Sequence, residues 1–272
     1  MNNKISVLLL TQNSQKSIKR CLDSLVKFDE VIIIDGGSTD NTITIANSYN
    51  NVKIFNNKWD GFINQRNFSL TKAKHDWCFM IDSDEKCNND LADELIKISN
   101  QENDKNVMYC ITRTEYYCGK TLESGFGASS LQERFFKKSC ITYTGGVHHK
   151  HLYKNEPLEN YPSLIGKIEN KFRIEHDPNF SLEQWIKKLP RFSLYIAEEK
   201  SKNGKTYSKT IILISLIFTF FQIYLKSYKN KEVGFIISIQ EAIYRTLVKL
   251  IVYEKSINKS QDKTNIFDQN LQ

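Results

Sequence analysis

The 272-residue sequence predicts an α/β protein: a largely parallel sheet flanked by helices, followed by a helical C-terminal region. Three observations carry this. Short apolar runs recur at 5–10, 30–35, 51–55 and 76–81. Segments with helical spacing separate them, and that alternation builds a parallel sheet covered on both faces. Beyond about residue 165 the apolar pattern turns helical.

"ISVLLL" (5–10) is a continuous apolar run, as a strand buried on both faces requires. Residues 14–27 then place Ile18, Cys21, Leu22 and Leu25 at helical spacing, with Ser14 as the expected cap. "EVIIID" (30–35) is a second strand and "STDNTITIANSY" (38–49) opens a second helix. "NVKIF" (51–55) is a third strand. Residues 61–74 read as a helix and "DWCFMI" (76–81) as the fourth strand. Asn88 or Asn89 caps the next helix.

After residue 105 the pattern changes. "NVMYCITRTEYY" (106–117) is strand-like, and "LQERFFKK" (131–138) is suited to pair with it. "ITYTGGVHHKHLY" (141–153) holds three of the five histidines. A helix begins at Ser181 with a capping pattern. The segment 210–225 is apolar nearly all round, a last helix covers 232–254, and the tail over 256–272 is expected to be disordered.

Hydrophobic residues make up 40% and charged residues 25%, which suits a globular chain and excludes wholesale disorder. The net charge of +7 is uneven. Between Lys200 and Ser260 stand 11 Lys and Arg against 3 acidic residues, so the remainder is close to neutral. A basic stripe confined to this part points to an anionic membrane surface rather than a nucleic acid. The six cysteines show no CxxC pair and no zinc-like spacing. Cys21 and Cys78 suit small apolar filler in a reducing, cytoplasmic compartment. The chain enters a strand pattern at once, so no secretory leader is expected.

The chemistry concentrates at strand ends. Ligands of such sheets bind beyond the carboxyl ends of the strands. Thr11 and Asn13 follow the first strand, Asp35 ends the second, and Asp82 and Asp84 end the fourth. In "WCFMIDSDEKC" (77–87), Asp82, Asp84 and Glu85 stand close enough to repel one another. Either this is a polar turn before a capped helix, or a divalent metal, Mg²⁺ or Mn²⁺, sits among oxygen ligands shared with a phosphate. No GxGxxG follows the first strand, which argues against hydride transfer. A phosphatase is disfavoured too, since no threonine lies two residues beyond Asp84.

The ordered set "SVLLLTQN", "VIIIDGGSTDNT", "WDGFINQRNFSL" and "WCFMIDSDE" resembles the inverting family-2 glycosyltransferases of the GT-A fold, in particular the branch of lipopolysaccharide-core glucosyltransferases acting on heptose. The likeness is tight over 5–86 and looser through "RTEYYCGK", "ERFFKK" and "GGVHHKH". It implies a GT-A nucleotide-sugar-binding catalytic domain over 1–165 and a membrane-facing helical region over 166–255. It further implies a nucleotide-sugar donor, a UDP-sugar in the first instance, and a glycan or glycolipid acceptor.

By the same resemblance Asp84, with Asp82, holds the metal, and Asp82 also meets the ribose. Asp35 accepts from the base, while Thr11, Asn13 and Ser38 lie against the nucleotide. Arg66 either reaches a phosphate or is a solvated helix residue. Arg134 faces phosphate or acceptor. The family's "VHE"-like motif reads Val147-His148-His149 here, so the base is His149 or His148, with Glu115 and Glu133 as fallback carboxylates and His151 as an exposed bystander. The lost Glu leaves open a catalytically silent sugar-nucleotide-binding or scaffold protein. About 16 apolar residues at 210–225 fall short of the roughly 20 a spanning helix needs. That segment is a core helix, or it dips into the inner face of the cytoplasmic membrane between Lys205, Lys209, Lys226, Lys229 and Lys231.

Overall fold

In a computed structural model, residues 4–117, 119–122, 125, 128–145, 149–177 and 182–269 are described. The chain forms two compact units: residues 1–119 with 129–179, and residues 120–128 with 180–272.

The first unit is the α/β body. Its elements begin with β1 (Ile5–Thr11), α1 (Ile18–Asp23), β2 (Glu30–Asp35), α2 (Thr42–Ala46), β3 (Val52–Asn56), α3 (Phe62–Lys72) and β4 (Trp77–Asp82). β5 (Glu85–Cys87), α4 (Asn89–Ser99) and β6 (Met108–Tyr117) come next. The two-residue strand β7 (Lys120–Thr121) falls among the residues of the second unit, and the first resumes with β8 (Ser129–Lys137), β9 (Ile141–Gly145), β10 (His149–Tyr153), β11 (Glu156–Pro157), β12 (Ile165–Lys167) and β13 (Arg173–His176). The main sheet runs β3-β2-β1-β4-β8-β6-β13-β5, with β12 beside β6. β9, β10 and β11 form a small antiparallel sheet.

β1, β2, β3 and β4 are parallel, as the buried runs require. Alternate residues feed two cores. Val7, Leu9, Ile33 and Phe79 pack with α1 and α4, and Leu8, Ile32, Met80 and Phe136 face the other way, packed with residues of α3. β8 pairs antiparallel with both β4 and β6, as the strand-like 131–138 suggested. β12 and β13 return parallel to β6, so this unit extends past residue 165.

Helices α1 and α2 are shorter than their patterns suggested. Four of the five residues of α2 are Thr or Ile, whose β-branched side chains lose freedom in a helix. Ser14 does not cap α1; its hydroxyl bonds Ser83 Oγ at 2.8 Å instead. Asn88 does cap α4, accepting from the Leu91 N–H at 2.8 Å.

The second unit is helical: α5 (Leu182–Lys202), α6 (Lys209–Ser227) and α7 (Lys231–Gln269). α7 continues past Ser256 to Gln269. The expected cap Ser181 lies outside the described residues.

Candidate active site

In the order β3-β2-β1-β4 the direction in which successive strands are added reverses between β1 and β4, and open α/β sheets bind ligands at such a switch point. Register puts the strand ends level: Thr11 is paired with Asp35, and Leu10 with Asp82. The polar turns after β1, β2 and β4 therefore open on one edge.

The first two turns are tied together. Asn13 has φ 54°, a left-handed conformation asparagine tolerates. Its Oδ1 accepts from the Thr39 N–H at 2.8 Å, and its own N–H donates to Ser38 Oγ at 2.9 Å. Asp35 is buried and accepts from the Gly37 and Ser38 N–H groups at 3.0 and 2.9 Å and from the Ser38 hydroxyl at 2.5 Å. Gly37, at φ 97°, allows that tight wrap. Beside it the Thr11 hydroxyl is buried with no hydrogen-bond partner among the described residues. A buried orphan of this kind invites an explanation.

Beyond β4, cations sort the three carboxylates. Arg134 of β8, 3% exposed, donates from one Nη2 to Asp82 Oδ2 at 2.7 Å and to Glu85 Oε1 at 2.9 Å. Arg66, buried in α3 rather than solvated, stands 3.9 Å from Asp82 Oδ1 and over the Tyr143 ring. Arg113 also donates to Glu85, at 3.3 Å. Burial opposes charge on Asp82, but Arg134 and Arg66 outweigh it and hold its carboxyl far below the usual range. Burial pushes Glu85 up. Burial likewise opposes the Arg134 charge, and Asp82 with Glu85 reverses the sign and raises it. Arg134 Nη1 finds no partner among the described residues.

Asp84 has a different neighbour. His176 Nε2, at the end of β13, lies 3.5 Å from Asp84 Oδ2, and its Nδ1 bonds Glu115 on β6. Burial works against the imidazolium, yet Asp84 and Glu115 push its pKa up to about 10. The Asp84 carbonyl is clamped by Arg20 Nη2 at 2.6 Å and the Asp177 N–H at 3.2 Å. His176 was not among the residues singled out from sequence. "RIEHD" (173–177) alternates like a strand and ends in His and Asp, a signal no weaker than Asp35 after "VIII".

The histidine-rich strand divides. His151 is buried rather than exposed: its Nδ1 meets Glu133 Oε2 at 2.5 Å and its ring stands 4.8 Å from that of Tyr143. The His151 hydrogen bond, against partial burial, lowers the Glu133 pKa. His149 enters β10 opposite Gly145. His148 lies outside the described residues. Among the described residues no three His, Cys, Asp or Glu side chains group as a ready metal cage.

Residues 6–161 match the glycosyl transferase family 2 profile, more than half of the chain. The chain belongs to that family. A Rickettsia bellii protein described as an uncharacterized glycosyltransferase is 28% identical over 82% of this chain and 76% of its own length. The Rhizobium meliloti lipopolysaccharide core biosynthesis glycosyltransferase LpsC is 22% identical over 94% of both chains. Among solved structures, Mycobacterium tuberculosis glucosyl-3-phosphoglycerate synthase, in complex with Mn²⁺, UDP and glucosyl-3-phosphoglycerate, is 20% identical, with a TM-score of 0.46 over 76% of this chain and 82% of that one. This family-2 chain is thus a glycosyltransferase, with the α/β sheet that its sequence predicts.

Proposed function

We propose that this glycosyltransferase moves a sugar, with inversion, from a nucleoside-diphosphate donor to a glycan or lipid-linked acceptor such as a lipopolysaccharide core. A UDP-sugar is the donor to test first. The observation that carries this is the unequal partnering of the carboxylates after β4: arginines engage Asp82 and Glu85, while Asp84 faces His176.

The Asp84 carboxylate is the ligand type that Mg²⁺ and Mn²⁺ favour, and the His176 imidazole would suit the softer of the two, Mn²⁺. Asp84 and His176 would hold such a cation, which would supply positive charge for a departing diphosphate. His176 gives up its proton when it serves as a ligand. Arg20 and the Asp177 N–H hold the Asp84 backbone in place. On the nucleotide side, the open Thr11 hydroxyl and the remaining lone pairs of Asp35 and Asp82 receive base and ribose donors, with Asn13 and Ser38 fixing the rim. Arg66 and the open Nη1 of Arg134 supply positive charge toward phosphate or acceptor.

An inverting transfer needs a base for the acceptor hydroxyl. Glu115 and Glu133 are each already bonded to a histidine, which supports His149, or its neighbour His148, in that role. The alignment with LpsC over 94% of both chains supports the acceptor class. The lysine-rich C-terminal region supports a cytoplasmic enzyme on the anionic inner face of the membrane.

The test is metal-dependent release of UDP from a panel of UDP-sugars by the purified chain. Turnover with Mn²⁺ that chelator removes is expected. Donor binding without turnover, with or without acceptor, would overturn the assignment. His149→Ala is expected to lower turnover by about 10² while donor affinity holds.

A further inference from the structure

The α6–α7 pair is built inside out, whereas α5 meets α7 through an ordinary apolar cluster of Ala197, Val248 and Val252. Along α6 the buried positions are Ser215, Thr219, Ile223 and Ser227, four residues apart, so mostly small or polar groups face inward. The exposed positions include Leu213 at 79%, Leu225 at 70%, and Ile217 and Phe218 at 64%. On α7, Gly234, Ser238 and Ala242 form a matching buried row at the same spacing. The two helices approach closely there: a Cβ on Gly234 would lie 2.1 Å from the Ser227 carbonyl oxygen. Thr246 and Lys249 both reach Ser215 Oγ. Soluble helix pairs put apolar residues between them, whereas helices in lipid put small and polar ones there.

The apolar outer surface is continuous. Phe235 of α7 packs on Phe220 and Tyr224 of α6, with ring centroids 5.7 and 6.3 Å apart. Phe235, Ile239 and Ile243 extend the exposed stripe along α7. The charged row Glu241, Arg245 and Lys249 lies two positions along from it, on another side of the helix. The core helix of a soluble protein is mostly buried, yet only 22% of the most apolar stretch of Lys209–Asn258 is buried. Lys205 and Lys209 stand at one end of α6, and Lys226, Lys229 and Lys231 at the other.

We propose that the α6–α7 pair is a monotopic membrane anchor, lying in the plane of an anionic bilayer with this outer face among the acyl chains. Lysines at both ends of α6 meet headgroups, and the charged row of α7 stays out of the hydrocarbon. The 19 residues of α6 make a rod of about 28 Å, so the face it presents is long enough to hold without crossing. The anchor deepens the inner-face location proposed above. It replaces a salt-sensitive contact with an apolar one.

The experiment uses the full chain and vesicles of phosphatidylglycerol and phosphatidylcholine. Flotation is expected to persist in high salt and to end only with detergent. The paired variant Ile217→Glu and Phe221→Glu changes exposed side chains alone. It is expected to lower the bound fraction about tenfold, with circular dichroism and UDP release from donor unchanged. Binding lost in high salt would leave only the electrostatic contact and overturn the anchor. Failure to float, with a discrete dimer by light scattering, would assign the face to a second copy and overturn it as well. UDP release on the same samples reads the transfer assignment separately.

Discussion

Two carboxylates at opposite edges of the parallel sheet, Glu30 and Asp84, are held in opposite ways. At the amino-terminal edge Glu30 is buried and saturated: it accepts from the Ser6 hydroxyl at 2.6 Å, the Lys74 N–H at 2.6 Å and Lys53 Nζ at 2.9 Å. At the carboxyl-terminal edge Asp84 has one side-chain ion pair, to His176 across 3.5 Å, and keeps its carboxylate partly in water. Both follow from where parallel strands begin and end. The difference is that one carboxylate is used up in holding the edge closed, and the other is left able to take a ligand. Occupancy of lone pairs, more than the presence of acid, separates a structural carboxylate from one available for chemistry.

The largest effect is expected where the open carboxylate is removed. Asp84→Ala should lower turnover by about 10³ or more, the several kcal/mol that the proposed cation would contribute. Its melting temperature should match that of the parent, because few protein contacts depend on that carboxylate. A melting point lowered by many degrees, with residual turnover intact, would place Asp84 with Glu30 on the structural side. Next comes Arg134→Met. It leaves Asp82 and Glu85 side by side with Arg66 and Arg113 still near them. The loss should approach, without exceeding, the roughly 3–5 kcal/mol of an uncompensated buried charge. Chemical denaturation should report that loss directly.

Much of this edge was legible in the sequence because parallel strands announce themselves. "ISVLLL", "EVIIID" and "DWCFMI" are too continuous to be half-exposed, and the polar turns at their carboxyl ends must gather at one edge. The partners of His176 were not legible for a matching reason. Its place depends on β13 pairing with β6 in a register that sets His176 beside Glu115, 61 residues earlier, and no local pattern specifies that distance. Arg134 depends likewise on β8 running antiparallel to β4. Over 210–225 the apolar helix was legible, but the choice between a core helix and a membrane face stayed open, because which side faces inward is set by the α7 partner.

A smaller effect is expected at the closed edge. Glu30→Gln should cost about 1–3 kcal/mol, the worth of hydrogen bonds to a charged group, with turnover unaffected. Burial opposes the Glu30 charge, but Ser6, Lys53 and Lys74 together hold its pKa below the ordinary 4.5. A depressed folded-state pKa gives stability that is present above 4.5 and is lost as pH falls through the folded value. The parent should therefore lose stability on acidification below pH 4.5, by an increment that Glu30→Gln lacks. Equal acid sensitivity in both would show that the edge is not closed by this carboxylate.

The smallest effect tests whether the rim of the open edge is preorganised. Asn13 contributes two separable things: a left-handed backbone at φ 54° and a side chain that accepts from Thr39. Asn13→Gly keeps the first and removes the second, while Asn13→Ala strains the first as well. With a net hydrogen bond near 1 kcal/mol, the glycine variant should weaken donor binding by about fivefold. Alanine should weaken it further and also lower the melting temperature. Calorimetric titration of UDP into both proteins separates the contributions. If the two variants bind alike, the turn owes its shape to Asp35 and Gly37 on the neighbouring strand, and Asn13 belongs to the closed side of the comparison.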